Sequence, residues 1–377
     1  MKSVIKIIFL LLLTACNHSG NTVTQADLST AYQPEYATGF SIDSIDGHES
    51  TVITVRNPWQ GADSVVSRLF IARNGEKAPN GFEGQCLDAP AGRIVAMSST
   101  HIAMLDAIGE TERIVGVSGI DFISNPEIRK RRDEIGDVGY DGNVNYERLL
   151  ALEPDIVLLY GVNGASAMEG KLRELGIPFM YVGDYVEESP LGKAEWMVAL
   201  GELTDRRRDA AERFSDTADA YNSLSNYVAG QGLEEPKVML NTPYGDSWFM
   251  PPVQSYMATL ISDASGEYIF KENNSDSSVP IDMEEAYRLT ANAWRWINVS
   301  NVSSLDELKR LYPKFADTRP VVNGDVYTNT LRTTPEGGND FYESGIVHPD
   351  LILCDLIKIM HPELLADKEF TYYRKLE

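Results

Sequence analysis

The stretch from residue 189 to residue 229 limits the possible folds most, because it predicts a long helical connection in the middle of the chain. Ser189 is a suitable N-cap for a helical segment over 191–203. Thr204 can then cap a second helix that begins at Asp205. In this second helix apolar residues recur at steps of three and four without a proline or glycine, which predicts an amphipathic helix roughly 35–40 Å long.

The segments on either side of this connection carry the same order of elements. Before it, short apolar runs alternate with helix-like segments, and after it the pattern returns and ends in a strand expected over 321–327. Such alternation indicates mostly parallel sheets flanked by helices. Equivalent positions in the two halves lie at a nearly constant offset. We therefore predict an α/β protein with two related lobes, over 91–187 and 230–377, joined by linking helices over 188–229 that include one long interdomain helix.

The N-terminal residues predict export and anchoring. Over 1–15 a basic start precedes a short apolar run, and Leu-Thr-Ala stands directly before Cys16. This ending resembles a bacterial lipobox, in which the cysteine is lipidated; an ordinary export signal with an incidental cysteine is the alternative. We expect a polar tether over 16–35 and a small β-rich extension over 36–90, where strand-like runs are separated by turn residues.

Composition argues against some partners. The chain has 33 basic and 56 acidic residues and a formal net charge of −23, so charge alone does not favour binding to nucleic acid or to an anionic membrane surface. Cys86 and Cys354 could form a disulfide in an oxidising compartment, but their distant positions leave the pairing open. The cysteines and the five histidines show no zinc-type spacing.

Two α/β lobes joined by a helix create a cleft between the loops that follow the strands, where open sheets bind their ligands. Several of these loops are rich in aromatic and amide side chains, which suit a large, rigid and partly apolar ligand. The candidate ligand contacts are Ser99, Thr100, His101, Tyr140, Tyr160, Tyr244, Trp248, Trp296, Arg332, Asn339 and Tyr342. Core packing is the alternative for the aromatic residues, and helix capping is the alternative for Ser99 and Thr100.

Motifs for catalysis are weak. Ser98, Ser99 and His101 lie close together, but no Gly-x-Ser-x-Gly elbow surrounds either serine. No Gly-x-Gly-x-x-Gly follows a strand and no Walker-type loop occurs, so the sequence does not support nucleotide binding. His101 is the histidine best placed to ligate a metal, yet it lacks partner ligands nearby in sequence. We predict no catalytic residues, no resident metal site and no cofactor of the protein's own.

A set of short segments, taken in order, resembles one known family. These segments are Arg-Ile-Val-Ala-Met-Ser at 93–98, Tyr-Glu-Arg-Leu-Leu-Ala-Leu-Glu-Pro-Asp-Ile-Val at 146–157, Leu-Gly-Ile-Pro at 175–178, Asp-Leu-Ile-Lys-Ile at 355–359 and His-Pro at 361–362. From Arg93 to the C-terminus the chain resembles the class III substrate-binding proteins of bacterial ABC importers for ferric siderophores, haem and cobalamin.

The resemblance implies a ligand held between two lobes, a rigid linking helix and little hinge closure. It also implies one surface glutamate per lobe that pairs with arginines of the permease. Gly-Glu-Tyr-Ile-Phe at 266–270 is similar to that docking motif and makes Glu267 the expected residue of the second lobe. Glu169 is the acid in the corresponding stretch of the first lobe, although its spacing differs by a few residues.

The resulting hypothesis is a lipid-anchored, non-enzymatic and monomeric binding protein on the periplasmic side of the cell envelope. It would capture a ferric siderophore and deliver it to an ABC permease and its ATPase. A corrinoid is the second candidate ligand and haem the third. A protein that binds metal ions directly and an exported hydrolase on a two-lobe scaffold remain as alternatives from other classes.

Overall fold

The structure is a computed structural model that describes residues 28–299 and 302–377. The predicted export signal and the lipidation site at Cys16 lie outside the described residues. The described chain forms an N-terminal sheet, a first α/β lobe, two connecting helices and a second α/β lobe, in that order. The predicted fold class, a two-lobed α/β protein with a β-rich extension, is thereby confirmed.

The N-terminal extension is one five-stranded sheet whose strands lie in chain order. They are β1 (Leu28–Tyr32), β2 (Phe40–Ile45), β3 (Thr51–Arg56), β4 (Val66–Ile71) and β5 (Gln85–Leu87). Neighbours are antiparallel except β4 and β5, which are parallel. Ile53 joins the main core of the molecule, whereas its neighbour Val52 packs in a separate small cluster on the other face, as strand alternation requires.

The sheet begins earlier than the sequence suggested. A tether over 16–35 is wrong for residues 28–35, because β1 pairs with β2 and the chain after it is bound to Glu195. That glutamate lies 160 positions further along the chain, so the polar local sequence gave no sign of the contact.

The first lobe is built on a parallel sheet with the strand order β12-β11-β6-β7-β8. Its elements are β6 (Ile94–Ala96), α1 (Ser99–Ala107), β7 (Ile114–Val117), α2 (Pro126–Lys130), β8 (Gly136–Asp137), β9 (Gly139–Tyr140), β10 (Asn143–Val144), α3 (Tyr146–Ala151), β11 (Ile156–Leu159), α4 (Glu169–Leu175) and β12 (Phe179–Tyr181). The central strands β6 and β11 are completely buried, which explains their continuous apolar sequence.

The connection consists of α5 (Pro190–Leu203) and the long α6 (Arg207–Ala229). All of α5 is buried, and α6 buries most of the predicted apolar stripe, including Phe214 and Tyr221. Thr204 bonds to the carbonyl oxygen of Leu200 and ends α5. The prediction that Thr204 caps the second helix is therefore wrong. Arg206 holds that N-cap position, and its side chain makes no capping hydrogen bond to the helix.

The second lobe has a smaller parallel sheet with the order β15-β13-β17. Its elements are β13 (Lys237–Leu240), β14 (Trp248–Met250), α7 (Tyr256–Asp263), β15 (Glu267–Tyr268), β16 (Val279–Ile281), α8 (Met283–Asn292), β17 (Arg295–Ile297), α9 (Leu305–Leu311), α10 (Arg319–Asn323), β18 (Tyr327–Thr328), α11 (Ser344–Val347), α12 (Pro349–Met360) and β19 (Arg374–Lys375). Because α5 contacts α1 as well as α7, α11 and α12, one buried helix packs against both lobes.

The final strand predicted over 321–327 is largely wrong. Residues Arg319–Asn323 form α10, which has Pro320 in its first turn and ends at Gly324 in the left-handed conformation. These are ordinary helix start and stop signals that the apolar pair at 321–322 concealed. Extended pairing is limited to Val326, which forms a single parallel bridge with Trp296, and to β18.

Candidate functional site

A cavity of about 580 Å³ lies between the lobes, at the carboxyl ends of their strands. The first lobe contributes Thr100 at the start of α1 and the turn Asp184–Val186 after β12. The second lobe contributes Asn241 after β13 and Asn298 after β17. A depression of about 620 Å³ beside α8 is lined by the second lobe alone. The cavity between the lobes is therefore the one that matches the binding geometry of open α/β sheets.

The wall formed by the second lobe is rich in aromatic rings and prolines. It includes Pro251, Pro252, Tyr256, Met257, Phe341 and Tyr342. Tyr256 is the first residue of α7, whose N-cap is Ser255. Its hydroxyl oxygen is buried and hydrogen-bonds to none of the described residues. A buried hydroxyl without a partner is costly, so a ligand that bonds to it gains affinity.

Two asparagines shape this wall through unusual backbone conformations. Asn241 has a φ of +68° and Asn298 a φ of +56°, directly after the adjacent strands β13 and β17. Asparagine tolerates this left-handed region better than most residues, and such strain often accompanies functional sites. The side chain of Asn298 is held by a hydrogen bond of 2.6 Å from the hydroxyl of Tyr373.

The predicted tryptophan contacts are wrong. Trp248 and Trp296 are both completely buried and pack in one cluster with Phe315. Their indole N–H groups donate to the carbonyl oxygens of Leu240 and Asn241, at 2.8 and 2.6 Å. They support the end of β13 from within the core instead of stacking on a ligand. Trp248 lies in the core because β14 pairs with β16.

The wall formed by the first lobe is charged. Lys193, near the start of α5, donates from Nζ to the main-chain oxygens of Asp184 and Tyr185 at 2.5 and 3.2 Å. The same Nζ lies 5.5 Å from the ring centroid of Tyr256, across the cavity. Burial lowers the pKa of Lys193 and raises the pKa of Asp184. Glu187, also on this wall, accepts hydrogen bonds from Thr38, Gly39 and Trp196.

His101 is not a ligand contact. It is completely buried on α1, and burial lowers its pKa to about 3, so the ring is neutral. Its position follows from the helix, which begins after the N-cap Ser98 and turns the third residue into the core. Thr100, on the exposed side of the same turn, is the member of the predicted Ser99, Thr100 and His101 group that lines the cavity.

Most of the other predicted contacts lie elsewhere in the described structure. Arg332 forms an ion pair with Asp340, at 2.9 Å, and Asn339 accepts from the main-chain N–H of Phe341 to cap a short turn. Tyr244 is 81% exposed at the tip of a turn. Ser99, Tyr140 and Tyr160 also lie outside the cavity lining, whereas Tyr342 belongs to it and accepts a hydrogen bond from Asn329.

Comparison with known proteins identifies the family. The profile of the periplasmic binding protein family matches residues 94–331, more than half of the chain. The chain belongs to the periplasmic binding protein family. This result confirms the family predicted from the segments that begin at Arg93.

The relatives agree with this membership. An uncharacterized lipoprotein of Methanocaldococcus jannaschii is 26% identical over 345 residues, which cover 85% of this chain and 80% of that one. A vitamin B12-binding protein of Yersinia pseudotuberculosis is 23% identical over 57% of this chain and 71% of its own. A periplasmic heme binding protein of Pseudomonas aeruginosa has the same fold, with a TM-score of 0.56 and 18% identity over 72% of this chain and 93% of its own.

Several cavity residues of this periplasmic binding protein escaped sequence reasoning. Lys193 and Glu187 could have been noticed, because charged residues in and before a helix as apolar as 191–203 need internal partners. Tyr256 is the first residue of α7, and nothing in the local sequence marks its ring as facing the cavity. Trp59 reaches the cavity from the N-terminal extension, which carries no family motif.

Among residues 28–299 and 302–377, no helix has the length and apolar character needed to cross a membrane. In the same ranges no three His, Cys, Asp or Glu side chains converge into a possible metal site. Cys86 and Cys354 are free thiols.

The two predicted docking glutamates differ in their surroundings. Glu267 begins β15 and is one-third exposed, with the Lys271 ammonium 3.9 Å away. Glu169 begins α4 and is engaged by Arg173, at 2.7 Å, and by the hydroxyl of Tyr181, at 3.0 Å. Glu169 already has a cation and a hydroxyl as partners, so it is the less available of the two.

Proposed function

We propose that this protein is the substrate-binding component of an ABC importer and that it captures a metal chelate in the cavity between its lobes. The observation that carries the proposal is the position of that cavity, at the carboxyl ends of both parallel sheets in a family of binding proteins. The metal would arrive within the ligand, so the proposal includes no resident cofactor and no catalytic step.

The charges of the cavity support a neutral or cationic chelate. Among the described residues that line it, Lys193 is the only cation, and its ammonium is already bonded to two main-chain oxygens. The lining also includes Asp184, Glu187, Glu188 and Asp276. An anionic ligand would meet these carboxylates without a free cation to offset them, which disfavours it.

This argument ranks the candidate ligands. A ferric hydroxamate siderophore such as ferrioxamine B, which carries no anionic groups at its periphery, fits the lining best. A corrinoid is the second candidate, and similarity to a vitamin B12-binding protein supports it. Haem is the third candidate, because its propionates would need cations. The similar heme binding protein of Pseudomonas aeruginosa supports haem only weakly, since it shares the fold alone with this chain.

The recognition we propose uses the second-lobe wall. The rings of Tyr256 and Tyr342 would pack on the chelate, and the unpaired Tyr256 hydroxyl would donate to a ligand oxygen. Thr100, at the start of α1, would add a hydroxyl from the opposite lobe.

Calorimetric titration of the detergent-solubilised full-length protein tests the proposal. The probes are ferrioxamine B as a ferric hydroxamate, cyanocobalamin as a corrinoid and haemin, with free ferric ion as the control. Saturable binding of one chelate, weakened about tenfold or more by Tyr256→Ala, is the expected result. Binding of free ferric ion alone, or of none of the probes, would contradict the proposal.

Delivery to the permease is a separate part of the proposal. We infer that Glu267 docks on an arginine of the permease and that Glu169 does so in the first lobe. We also infer that lipidated Cys16 anchors the protein to a membrane on the periplasmic side of the cell envelope. Glu267→Arg should abolish uptake of the chelate in whole cells while its affinity for the purified protein stays unchanged. Normal uptake in that variant would exclude Glu267 from docking. Lys271→Ala is the matched control, because it changes a charge beside Glu267 without reversing the docking carboxylate.

A further inference from the structure

The N-terminal sheet lies outside the region matched by the family, which begins at residue 94. We propose that residues 57–61 of its β3–β4 loop form a third wall of the cavity and help to determine which chelate is bound. This inference rests on the proposed function and adds specificity-determining residues that the two lobes do not supply.

Two glutamates of the connecting segment hold the sheet in place. Glu195 of α5 accepts from the main-chain N–H groups of Glu35, Tyr36 and Ala37 at 2.9, 2.8 and 2.7 Å. Glu202 lies seven residues further, two helical turns along the same face of α5, and forms an ion pair of 2.7 Å with Arg73. Helix α5, which packs against both lobes, therefore also anchors the N-terminal sheet.

The sheet is fastened to the first lobe as well. The side-chain amide of Gln85 in β5 donates to the carbonyl oxygen of Phe179 at 2.6 Å and accepts from its N–H at 2.9 Å. These two bonds satisfy part of the free edge of β12, the last strand of the first-lobe sheet. The position of the β3–β4 loop is fixed by this double attachment.

The loop itself lies over the ends of two first-lobe strands. The ring of Trp59 meets the ring of Tyr181 edge to face, with centroids 5.1 Å apart. The main-chain N–H of Gln60 donates to the carbonyl oxygen of Val162 at 2.8 Å. Val162 follows β11 and Tyr181 ends β12, so both partners lie at the edge of the sheet where the cavity opens.

The same loop reaches the second lobe. The side-chain amide of Gln60 donates to the carbonyl oxygen of Asp276 at 3.3 Å. Trp59, Gln60 and Gly61 line the cavity together with Tyr256 and Tyr342. A ligand in the cavity would thus meet rings from the extension and from the second lobe.

The chemistry of the loop suits a neutral chelate. The face of Trp59 offers apolar contact to a flat or partly apolar periphery. The carboxamide of Gln60 can donate to or accept from amide and hydroxamate groups, and among the described residues its oxygen has no hydrogen-bond partner. The inferred ligand class is therefore a chelate whose periphery carries amide or hydroxamate groups and no anionic groups.

Calorimetric titration of full-length variants with ferrioxamine B, cyanocobalamin and haemin tests the inference. For the probe that the unmodified protein binds, Trp59→Ala and Gln60→Ala should weaken affinity about tenfold and about threefold, while Trp59→Phe restores most of the loss. Phe82→Ala is the matched control, because Phe82 packs on Phe70 in the small cluster of the same sheet and does not line the cavity. We expect its affinity to stay within about twofold.

The outcomes separate this inference from the proposed function. If Tyr256→Ala weakens binding while Trp59→Ala and Gln60→Ala leave it within about twofold, the cavity assignment stands and the third wall is wrong. If Phe82→Ala weakens binding as much as Trp59→Ala, the loop acts only through the stability of the sheet, and the inference is also wrong. If the unmodified protein binds none of the three probes, the proposed function fails first and the inference with it.

Discussion

The first-lobe side of the cavity carries four charged side chains, whereas the second-lobe side carries one among its aromatic rings and prolines. On the first side, Lys193 donates to main-chain oxygens, and Glu187 accepts from main-chain N–H groups and from the indole of Trp196. On the second side, Tyr256 keeps a buried hydroxyl without a partner among the described residues.

This contrast separates residues that hold the cavity together from residues that are free to bind. A charged side chain on the wall is not a recognition element when its bonds are already formed, because breaking them would cost more than a new contact returns. A substitution on the first side should therefore reduce the free energy of unfolding most. One on the second side should reduce ligand affinity most.

The largest expected effect on the free energy of unfolding comes from Glu187→Ala, a substitution on the first-lobe side of the cavity. Removing the carboxylate leaves the main-chain N–H groups of Thr38 and Gly39 and the indole N–H of Trp196 without an acceptor in a buried setting. We expect the free energy of unfolding to fall by about 3–5 kcal/mol, measured by urea titration. Glu187→Gln, which keeps one acceptor, should lose less.

Glu188→Ala is the matched control, because the adjacent glutamate lines the same wall but is exposed. Its unfolding free energy should change by no more than about 0.5 kcal/mol. Equal losses for the two variants would break the distinction between structural and free charges on this wall.

The next effect concerns the contact that joins the two sides. The buried carboxylate of Glu343, in the second lobe, accepts from the main-chain N–H groups of Ser124 and Asn125 in the first lobe, each at 2.7 Å. Burial, with help from the nearby Asp340 and Asp106, raises its pKa from 4.5 to about 7.

This raised pKa gives a definite sign to the pH dependence. The folded protein holds the Glu343 proton more tightly than the unfolded chain, so the resulting stabilisation is complete below pH 4.5 and is lost as the pH rises through about 7. The loss amounts to about 3 kcal/mol. Between pH 5 and pH 8, Glu343→Gln should therefore gain stability relative to the unmodified protein, measured by urea unfolding at each pH.

Glu336→Gln is the control for this experiment, since Glu336 belongs to the same contact between lobes through an ion pair of 3.3 Å with Arg129. Its main-chain hydrogen bond lowers the pKa of its carboxyl, so the difference from the unmodified protein should not grow above pH 5. A stability difference for Glu343→Gln that is the same at every pH would show that the carboxylate does not titrate in this range.

The fold was predictable because it follows from local patterns. The apolar runs of β6 and β11, the alternation of strands with helices and the stripe of α6 each depend on a few neighbouring residues. The start of the N-terminal sheet was not predictable in this way, because its bonds to Glu195 connect residues far apart in sequence.

The site was harder to predict for a related reason. A loop rich in aromatic residues does not reveal which rings face the cavity: Trp248 and Tyr244 lie in one loop, yet the first is buried in the core and the second is exposed. The decisive information was the pairing of β14 with β16, a contact across about thirty residues that one sequence does not display. Of the predicted contacts, Thr100, near the start of α1, and Tyr342, in the turn over 340–342, line the cavity.

The smallest and sharpest effect is expected from Tyr256→Phe on the second side. Deleting a buried hydroxyl that has no partner among the described residues should raise the free energy of unfolding of the ligand-free protein by about 1 kcal/mol. The same change should weaken binding of the preferred chelate by about fivefold, because the ligand loses one hydrogen bond. Tyr372→Phe is the matched control, since its hydroxyl hydrogen-bonds to that of Ser344 at 3.0 Å and it does not line the cavity. That variant should lose about 1 kcal/mol of stability and keep its affinity.

Urea unfolding and calorimetric titration of the two variants together test this contrast. If Tyr256→Phe loses stability as Tyr372→Phe does, the Tyr256 hydroxyl stabilises the fold, and the contrast between the two sides of the cavity no longer holds.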